Sequence, residues 1–293
     1  MKITNIHNLP EAMLKAMSFG EGLREGYSVT DLEKPPRELQ LIRRHWDEIV
    51  VDASEMLWAL LGKSMHYILE KGATEGSLTE ERLSVTIDGF TIHGHSDLWK
   101  NRTIEDYKVT STWTLIYNPG GRRDWIAQLN MYLFLWVANG FPTDKLVVWV
   151  ILRDWMQSKA KYDHTYPQIP LVRIDIPVWR AIDTLDYIRN RIAVHQEAMN
   201  MPDDSLPECT AEEMWEKRTT YAVKKEGRKT ALRVLNSSTE ATDYMDEKCL
   251  KKDGTPDPAI SIEVRKGCRI KCDDYCSASP FCNQYKKYKE VNK

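Results

Sequence analysis

The stretch that decides the fold, Gly94 to Lys108, reads GHSDLWKNRTIEDYK. Alternating and β-branched residues predict two β-strands here, joined by a tight polar turn at Asn101-Arg102. Side chains two residues apart on a strand point to the same face, so Asp106 and Lys108 should project together. Asp97, at the end of the neighbouring strand, is expected to meet them from the side.

Two carboxylates beside a lysine are costly on a purely structural surface and useful for chemistry. The carboxylates suit a hard cation such as Mg²⁺ or Mn²⁺, and the ammonium group can orient a water molecule and stabilise charge on a phosphate. A solvated hairpin with a surface Asp–Lys pair is the alternative, because an Asp-x-Lys pattern alone is common.

The composition is that of an ordinary soluble protein, with 42% hydrophobic and 29% charged residues in 293 positions. This length predicts one large domain with a small appendage. The net charge of −2 does not by itself indicate a nucleic-acid partner. Without an apolar run of membrane-spanning length or a signal-peptide pattern, we expect a cytoplasmic protein with no membrane partner.

A helix is predicted over residues 53–71, where apolar residues recur at helical spacing before Gly72. It contains His66, for which a structural role and a ligand role are both open. Gly62 lies one turn earlier, and we expect it to let another element approach above the His66 ring.

A second helix is predicted from an N-cap at Asp124 to Asn139-Gly140, after a mobile polar loop over residues 111–123. Gln128 and Tyr132 share one face of this apolar helix. Buried polar side chains need hydrogen-bond partners, which an internal network or a substrate could supply.

Two further strands, 145–152 and 171–176, and a long helix opened by Pro177 complete the main pattern. This order predicts an α/β domain with a mixed central sheet flanked by helices. Before it lies a basic cluster, for which a solvated helix face and contact with a DNA backbone are both open: Arg37, Arg43, Arg44 and His45.

A linker over residues 202–207 leads into a region of different composition, which begins with a predicted hairpin over residues 221–235. Four cysteines follow within a short span: Cys268, Cys272, Cys276 and Cys282. In a cytoplasmic chain such a group indicates metal or cluster ligation more than disulfides. Thiolates suit Zn²⁺ and iron–sulfur clusters alike, so the spacing leaves both open.

Four short motifs follow one another in order: Gly62-x-x-x-His66, Gly94-x-x-Asp97, Asp106-x-Lys108 and Gln128-x-x-x-Tyr132. Together they resemble the PD-(D/E)XK nuclease superfamily, in particular its RecB-like branch with the CRISPR-associated RecB-like exonucleases and bacteriophage exonucleases. The resemblance implies a restriction-endonuclease-like nuclease domain over residues 1–201 and a small cysteine-rich module over residues 202–293.

The resemblance also implies roles for the motif residues. His66, Asp97 and Asp106 would ligate a catalytic Mg²⁺ or Mn²⁺, with the Tyr107 carbonyl as a possible further ligand. Lys108 would position the attacking water and support its deprotonation. Gln128 and Tyr132 would orient the DNA or the lysine.

Some relatives of this branch hold a [4Fe-4S] cluster by one remote cysteine and three near the C-terminus. Cys272-x3-Cys276-x5-Cys282 resembles that trio. No cysteine lies before His66, where the relatives place the remote ligand, so Cys209 is predicted as the fourth ligand, with Cys268 and then Cys249 as alternatives. Zn²⁺ is the alternative to the cluster.

The function implied is a metal-dependent DNA exonuclease of phage or recombination DNA processing, acting by water attack. Its expected partner is DNA, with a recombinase or a single-strand-binding protein as a candidate protein partner. Two other functions are open: an endonuclease acting on flapped or branched DNA, and a catalytically idle DNA-binding module.

Overall fold

The computed structural model describes residues 1–20, 22–23, 26–251 and 253–291 of the chain. The chain forms two compact units, Met1–Pro207 and Glu208–Lys293. The larger unit contains a mixed sheet flanked by helices, which confirms the predicted α/β class. No helix of the described residues is both long and apolar enough to cross a membrane.

The described residues of the larger unit form ten short to medium strands. They are β1 (Lys2–Thr4), β2 (Tyr27–Ser28), β3 (Val50–Asp52), β4 (Leu78–Thr79), β5 (Leu83–Ile87), β6 (Phe90–Gly94), β7 (Leu98–Lys100), β8 (Thr103–Thr110), β9 (Lys145–Leu152) and β10 (Leu171–Ile176). The main sheet has the order β10-β9-β8-β7-β4. Its β8 and β9 run parallel, while the other neighbouring pairs run antiparallel. Two smaller sheets have the orders β2-β6-β5 and β1-β3.

Eight α-helices accompany these strands in the part of the unit that the structure describes. They are α1 (Glu11–Ser18), α2 (Val29–Glu33), α3 (Pro36–Arg44), α4 (Leu57–Lys71), α5 (Thr112–Tyr117), α6 (Arg123–Ala138), α7 (Gln157–Tyr162) and α8 (Ala181–Met199). Two 3₁₀ turns, Ala53–Met56 and Asp203–Ser205, complete the unit.

The core lies between the sheets and α6. Strand β9 buries most of its apolar side chains, as expected of a central strand with a partner on each side. Helix α6 is buried on several sides because it packs on β5, β8 and β9 and also against α2 and α8. Its fully buried Asn130 is satisfied by the carbonyls of Ile126 and Pro177 and by the Trp179 N–H.

Three sequence-based boundaries are wrong. Helix α6 is preceded by Arg122 rather than Asp124 as its N-cap, because the Asp124 carboxylate pairs with the Arg122 guanidinium at 2.8 Å. The predicted loop over residues 111–123 contains α5, whose first turn is capped by the Ser111 hydroxyl. The helix expected to open at Pro177 begins at residue 181, since the Pro177 carbonyl is engaged by Asn130.

The smaller unit combines a three-stranded sheet with short helices. Its strands are β11 (Glu216–Lys217), β12 (Thr220–Lys225), β13 (Arg233–Leu235), β14 (Ile260–Arg265) and β15 (Cys268–Arg269), and its helices are α9 (Ser238–Lys248), α10 (Ile270–Asp274) and α11 (Asn283–Val291). The β12–β13 hairpin is present as predicted, and β14 pairs with the other edge of β12.

Candidate active site

Strand register aligns three carboxylates across the main sheet. Thr79 of β4 faces Leu98 of β7, and Leu98 faces Glu105 of β8. Because these pairs are antiparallel, one further residue along each ladder sets Glu80 beside Asp97 and Asp97 beside Asp106. Glu80 directly follows β4, Asp97 directly precedes β7 and Asp106 lies within β8, so the three carboxylates occupy neighbouring positions across these strands.

The GHSD motif is held from two sides. Gly94 lacks a side chain where α6 approaches: a Cβ atom there would lie 2.8 Å from Tyr132 Cε1. The fully buried Ser96 hydroxyl accepts a hydrogen bond from Trp136 Nε1 at 2.9 Å. Asp97 then accepts a bond from the Tyr107 N–H through Oδ2, at 2.6 Å. The motif thus attaches the β6–β7 connection to α6 and positions Asp97.

Asp106 and Lys108 project together from β8, as their spacing predicts. Lys108 Nζ lies 2.8 Å from Asp106 Oδ2 and donates a hydrogen bond to Gln128 Oε1 at 3.0 Å. Gln128 Nε2 in turn donates to the Tyr132 hydroxyl at 3.1 Å. Gln128 and Tyr132 of α6 therefore belong to an internal network that fixes the lysine.

Glu105, between these residues in sequence, points to the opposite face and accepts a hydrogen bond from Trp149 Nε1 at 2.8 Å. This agrees with the two-residue periodicity of a strand, which sets Glu105 on the face opposite to Asp106 and Lys108.

Helix α4 brings His66 to the same place. His66 Nδ1 lies 2.9 Å from Asp97 Oδ1. The possible ligand atoms of His66, Glu80 and Asp97 all lie within 4.8 Å of one another, the one such group among the described residues. Gly62 does not have its predicted role, because a Cβ atom there would meet no described atom within 4 Å.

Glu80 is the site residue that sequence reasoning missed. It follows a two-residue strand, and no spacing rule links it to His66 or Asp97. Only the β4–β7 register brings it close. Its φ of +52° places Glu80 in the left-handed region, which a glutamate seldom adopts. The sequence contains no signal for this backbone conformation.

Burial and charge perturb the protonation of the cluster. Burial raises the pKa of Asp106 to about 6, and burial also raises that of Glu80. The hydrogen bond to Asp97 raises the pKa of His66. Burial lowers the pKa of Lys108, but the carboxylates of Asp106 and Asp97 outweigh it and the net shift is upward. Lys108 is therefore a cation in this site.

The donor set fits a divalent cation. Asp106 Oδ2 is buried and, apart from its ion contact with Lys108, accepts no hydrogen bond of good geometry from the described residues. Three carboxylates and an imidazole offer the oxygen-rich coordination that Mg²⁺ and Mn²⁺ prefer. The Tyr107 N–H donates its hydrogen bond to Asp97. The role of the Tyr107 carbonyl as a metal ligand stays a prediction.

The basic cluster before the sheet has a structural role that neither alternative anticipated. Arg37 is 2% exposed and donates to the carbonyls of Leu206 and Pro207. Arg44 binds the Asp203 carboxylate at 2.7 Å, and His45 lies 2.7 Å from the same group. These side chains attach α3 to the end of the larger unit.

In the smaller unit, hydrogen bonds connect the segment that contains Cys209 with the segment that follows Cys282. The Cys209 N–H donates to Gln284 Oε1 and the Cys209 carbonyl accepts from Gln284 Nε2, each at 2.9 Å. Gln284 lies two residues after Cys282 in the sequence. Burial and the nearby Cys282 raise the pKa of the Cys272 thiol to about 11. Cys276 follows α10, and its N–H donates to the Lys271 carbonyl at 2.8 Å.

The two alternative cysteines lie elsewhere in this unit. Cys268 pairs with Lys217 in the β11–β15 ladder. Cys249 is buried beside Val223 and Ala241 in the core below the three-stranded sheet. All six cysteines are thiols rather than disulfides.

Comparison with known proteins finds distant likenesses only. No protein-family model matches the sequence, and no curated protein matches it. The crystal structure of SSO0001 is 17% identical over 65% of this chain and 86% of that one, with a TM-score of 0.44. A phage-related exonuclease from Haemophilus somnus 129PT is 16% identical over 64% and 79%, with a TM-score of 0.28.

Proposed function

We propose that the Met1–Pro207 unit is a metal-dependent deoxyribonuclease that hydrolyses phosphodiester bonds by water attack. The observation that carries the proposal is the row of Glu80, Asp97 and Asp106 across three strands, with Lys108 beside it and His66 above Asp97. Burying carboxylates next to one another costs free energy, and a bound cation offsets that cost.

Each side chain of the site has a distinct role in the proposed reaction. His66, Glu80, Asp97 and Asp106 would hold a divalent cation, which would supply charge stabilisation at the scissile phosphate and favour deprotonation of the attacking water. Lys108, a cation held by Asp106 and Gln128, binds a phosphate oxygen or the attacking water without releasing its own proton. Tyr132 fixes Gln128 and thereby the position of the lysine. The products are a 5′-phosphate and a 3′-hydroxyl.

Within this class we propose exonuclease action, with cleavage of flapped or branched DNA by an endonuclease as the alternative. Digestion of labelled linear and circular DNA distinguishes the two, because an exonuclease requires an end. An idle DNA-binding module is disfavoured by the complete set of carboxylates, lysine and imidazole, which binding alone does not require.

Lys108→Ala and Asp106→Asn test the assignment in a digestion assay with Mg²⁺ or Mn²⁺. We expect each to reduce cleavage by a factor on the order of 10² or more, because each removes charge stabilisation at the reacting phosphate. Glu105→Gln is the matched control, since it changes the adjacent carboxylate on the opposite face. Full activity in the Lys108 variant would overturn the proposal.

For the smaller unit we propose a [4Fe-4S] cluster bound by Cys209, Cys272, Cys276 and Cys282, with Zn²⁺ as the alternative metal. The support is the closeness of Cys272 to Cys282 and the double hydrogen bond that holds Cys209 beside Gln284. Thiolate ligands suit both metals, so elemental analysis decides between them.

A further inference from the structure

We propose that an aromatic–basic surface beside the candidate active site binds single-stranded DNA by base stacking. We define this surface as Trp58, Trp113, Tyr117, Arg153 and Lys159. The inference rests on the proposed nuclease function and names its substrate form: a strand whose bases are unpaired where it leaves the site.

The aromatic rings of this surface are exposed and ordered relative to their neighbours. Trp113 and Tyr117 lie one turn apart on α5, with ring centroids 5.8 Å apart and planes inclined by 24°. They are 54% and 76% exposed. Trp58, in the first turn of α4, is 52% exposed and carries the Arg153 guanidinium 4.0 Å from its ring centroid. Each side chain therefore keeps about half or more of its surface accessible to a flat partner.

The fold of α5 does not depend on these exposed rings. The helix is attached through its buried Thr112 and Leu115. Asp154 Oδ1 accepts hydrogen bonds from the Thr112 N–H at 2.6 Å and from the Thr112 hydroxyl at 2.8 Å. A short helix held from its inner side presents Trp113 and Tyr117 on a preorganised platform, which lowers the entropy cost of binding.

The charges between the rings identify the partner. Lys159 Nζ lies 5.8 Å from the Trp113 ring and 5.6 Å from that of Tyr166. With Arg153 it places two cations among three exposed rings. Aromatic faces stack on bases and cations bind the connecting phosphates, the combination by which proteins hold single strands. In a duplex the base faces are covered by their neighbours, so the rings could reach only its ends.

The surface lies next to the reacting groups. Strand β8 carries Lys108 and ends at Thr110, whose hydroxyl donates to Thr114 of α5 at 2.9 Å. The Arg153 N–H donates to the Thr110 carbonyl at 2.9 Å, so the end of β9 joins the same edge. Trp58 lies eight residues before His66 on α4, about 12 Å along the helix axis. A strand bound here can therefore pass its phosphate to the cluster.

The test compares the full-length protein with a Trp113→Ala/Tyr117→Ala variant. Binding of fluorescein-labelled oligothymidine and of a blunt duplex is followed by anisotropy in EDTA, which prevents cleavage. We expect the variant to bind the single strand about tenfold or more weakly, since stacking contributes that much per base. Binding of the duplex should change by less than about threefold.

Two matched variants identify the cause. Trp113→Phe/Tyr117→Phe keeps both rings and should restore most of the single-strand affinity. Lys159→Gln should lower the slope of log Kd against log salt by about 0.7, the value for one phosphate contact in a single strand. Ile182→Ala, which removes a side chain of similar exposure on α8, should change neither quantity.

The outcomes separate this inference from the proposed function. Hydrolysis of thymidine 5′-(p-nitrophenyl phosphate) by the parent protein, and its loss in Lys108→Ala, tests the metal site without a DNA strand. If the parent hydrolyses this diester and the ring-less variant binds oligothymidine like the parent, the surface assignment is wrong. Equal losses for single strand and duplex would also overturn it, as would loss of affinity in the ring-retaining variant.

Discussion

Gly94 shows how one missing side chain can position a site. A Cβ atom at this residue would lie 2.8 Å from Tyr132 Cε1, 3.0 Å from Val29 Cγ2 and 3.2 Å from Leu135 Cδ1. The first contact is shorter than real Cβ atoms make, and the other two are tighter than most of their contacts. Glycine therefore lets α6 approach β6, and through Tyr132 and Gln128 this approach sets the position of Lys108.

Gly94→Ala should displace Tyr132 and lower hydrolysis by on the order of tenfold to a hundredfold, because small misplacements of positioning groups are costly in the transition state. We expect it to lower the free energy of unfolding by about 1–3 kcal/mol as an overpacked core substitution. Steady-state hydrolysis and urea unfolding measure the two effects.

Gly62→Ala is the matched control. It lies in α4 with open space around its Cβ position, so alanine should stabilise the helix by up to about 1 kcal/mol. Parent-like activity and stability of the Gly94 variant would show that α6 accommodates the extra methyl group.

The α2–α8 pair illustrates how two elements bury charge together. Arg191 of α8 donates to the carbonyls of Leu32 and Lys34 at the end of α2, each at 2.6 Å. His195, one turn later, is fully buried, and its Nδ1 atom has no hydrogen-bond partner among the described residues. Burial, aided by the Arg191 charge, lowers the pKa of His195 to about 4.

A lowered histidine pKa makes the folded state sensitive to acid. Between pH 6.5 and about 4, His195 takes up a proton in the unfolded chain but not in the folded protein. The contribution of this residue to the free energy of unfolding therefore falls as the pH falls. The parent should lose about 3 kcal/mol of its free energy of unfolding between these two pH values, and His195→Gln should remove this loss. Burial raises the pKa of nearby Glu33 to about 7, which acts with the opposite sign.

The measured quantity is therefore the difference in unfolding free energy between variant and parent at each pH. Tryptophan fluorescence reports on the larger unit, which contains every tryptophan except Trp215. His164→Gln, at an exposed position, serves as the control. A difference that stays constant from pH 7 to pH 4 would contradict the prediction.

At the scale of the whole molecule, the two units differ in what stabilises them. The larger unit has an extensive apolar core, whereas the buried cluster of the smaller unit beneath its sheet consists of Val223, Ala241 and Cys249. A unit of this size buries a smaller core than a large domain does, so a bound metal would contribute much of its folding free energy.

Cys276→Ala should therefore lose the bound metal and destabilise the Glu208–Lys293 unit, while the larger unit keeps its transition. Iron, sulfide and zinc analysis of anaerobically purified protein, together with thermal unfolding, measures the change. Cys249→Ala is the matched control, because Cys249 packs among apolar side chains. Unchanged metal content and melting of the Cys276 variant would exclude the ligand assignment.

Local sequence determined most of the elements. Alternation and turn residues predicted the β7–β8 hairpin, whose turn contains residues with positive φ at Asn101 and Arg102. Helical periodicity predicted α4 and α6, and continuous apolar residues predicted β9. These features depend on neighbouring residues in the chain, which is why a single sequence reveals them.

Strand spacing likewise placed Asp106 and Lys108 on one face, with Glu105 on the other. The tertiary structure alone decided which distant groups meet them. Glu80 joins the site through the β4–β7 register, and Gln128 becomes the partner of Lys108 because Gly94 admits α6. Arg37 binds backbone carbonyls and Arg44 binds a carboxylate that lie far along the chain. The local sequence pattern does not indicate these partners. Register and helix docking are long-range packing outcomes, and the local sequence does not encode them.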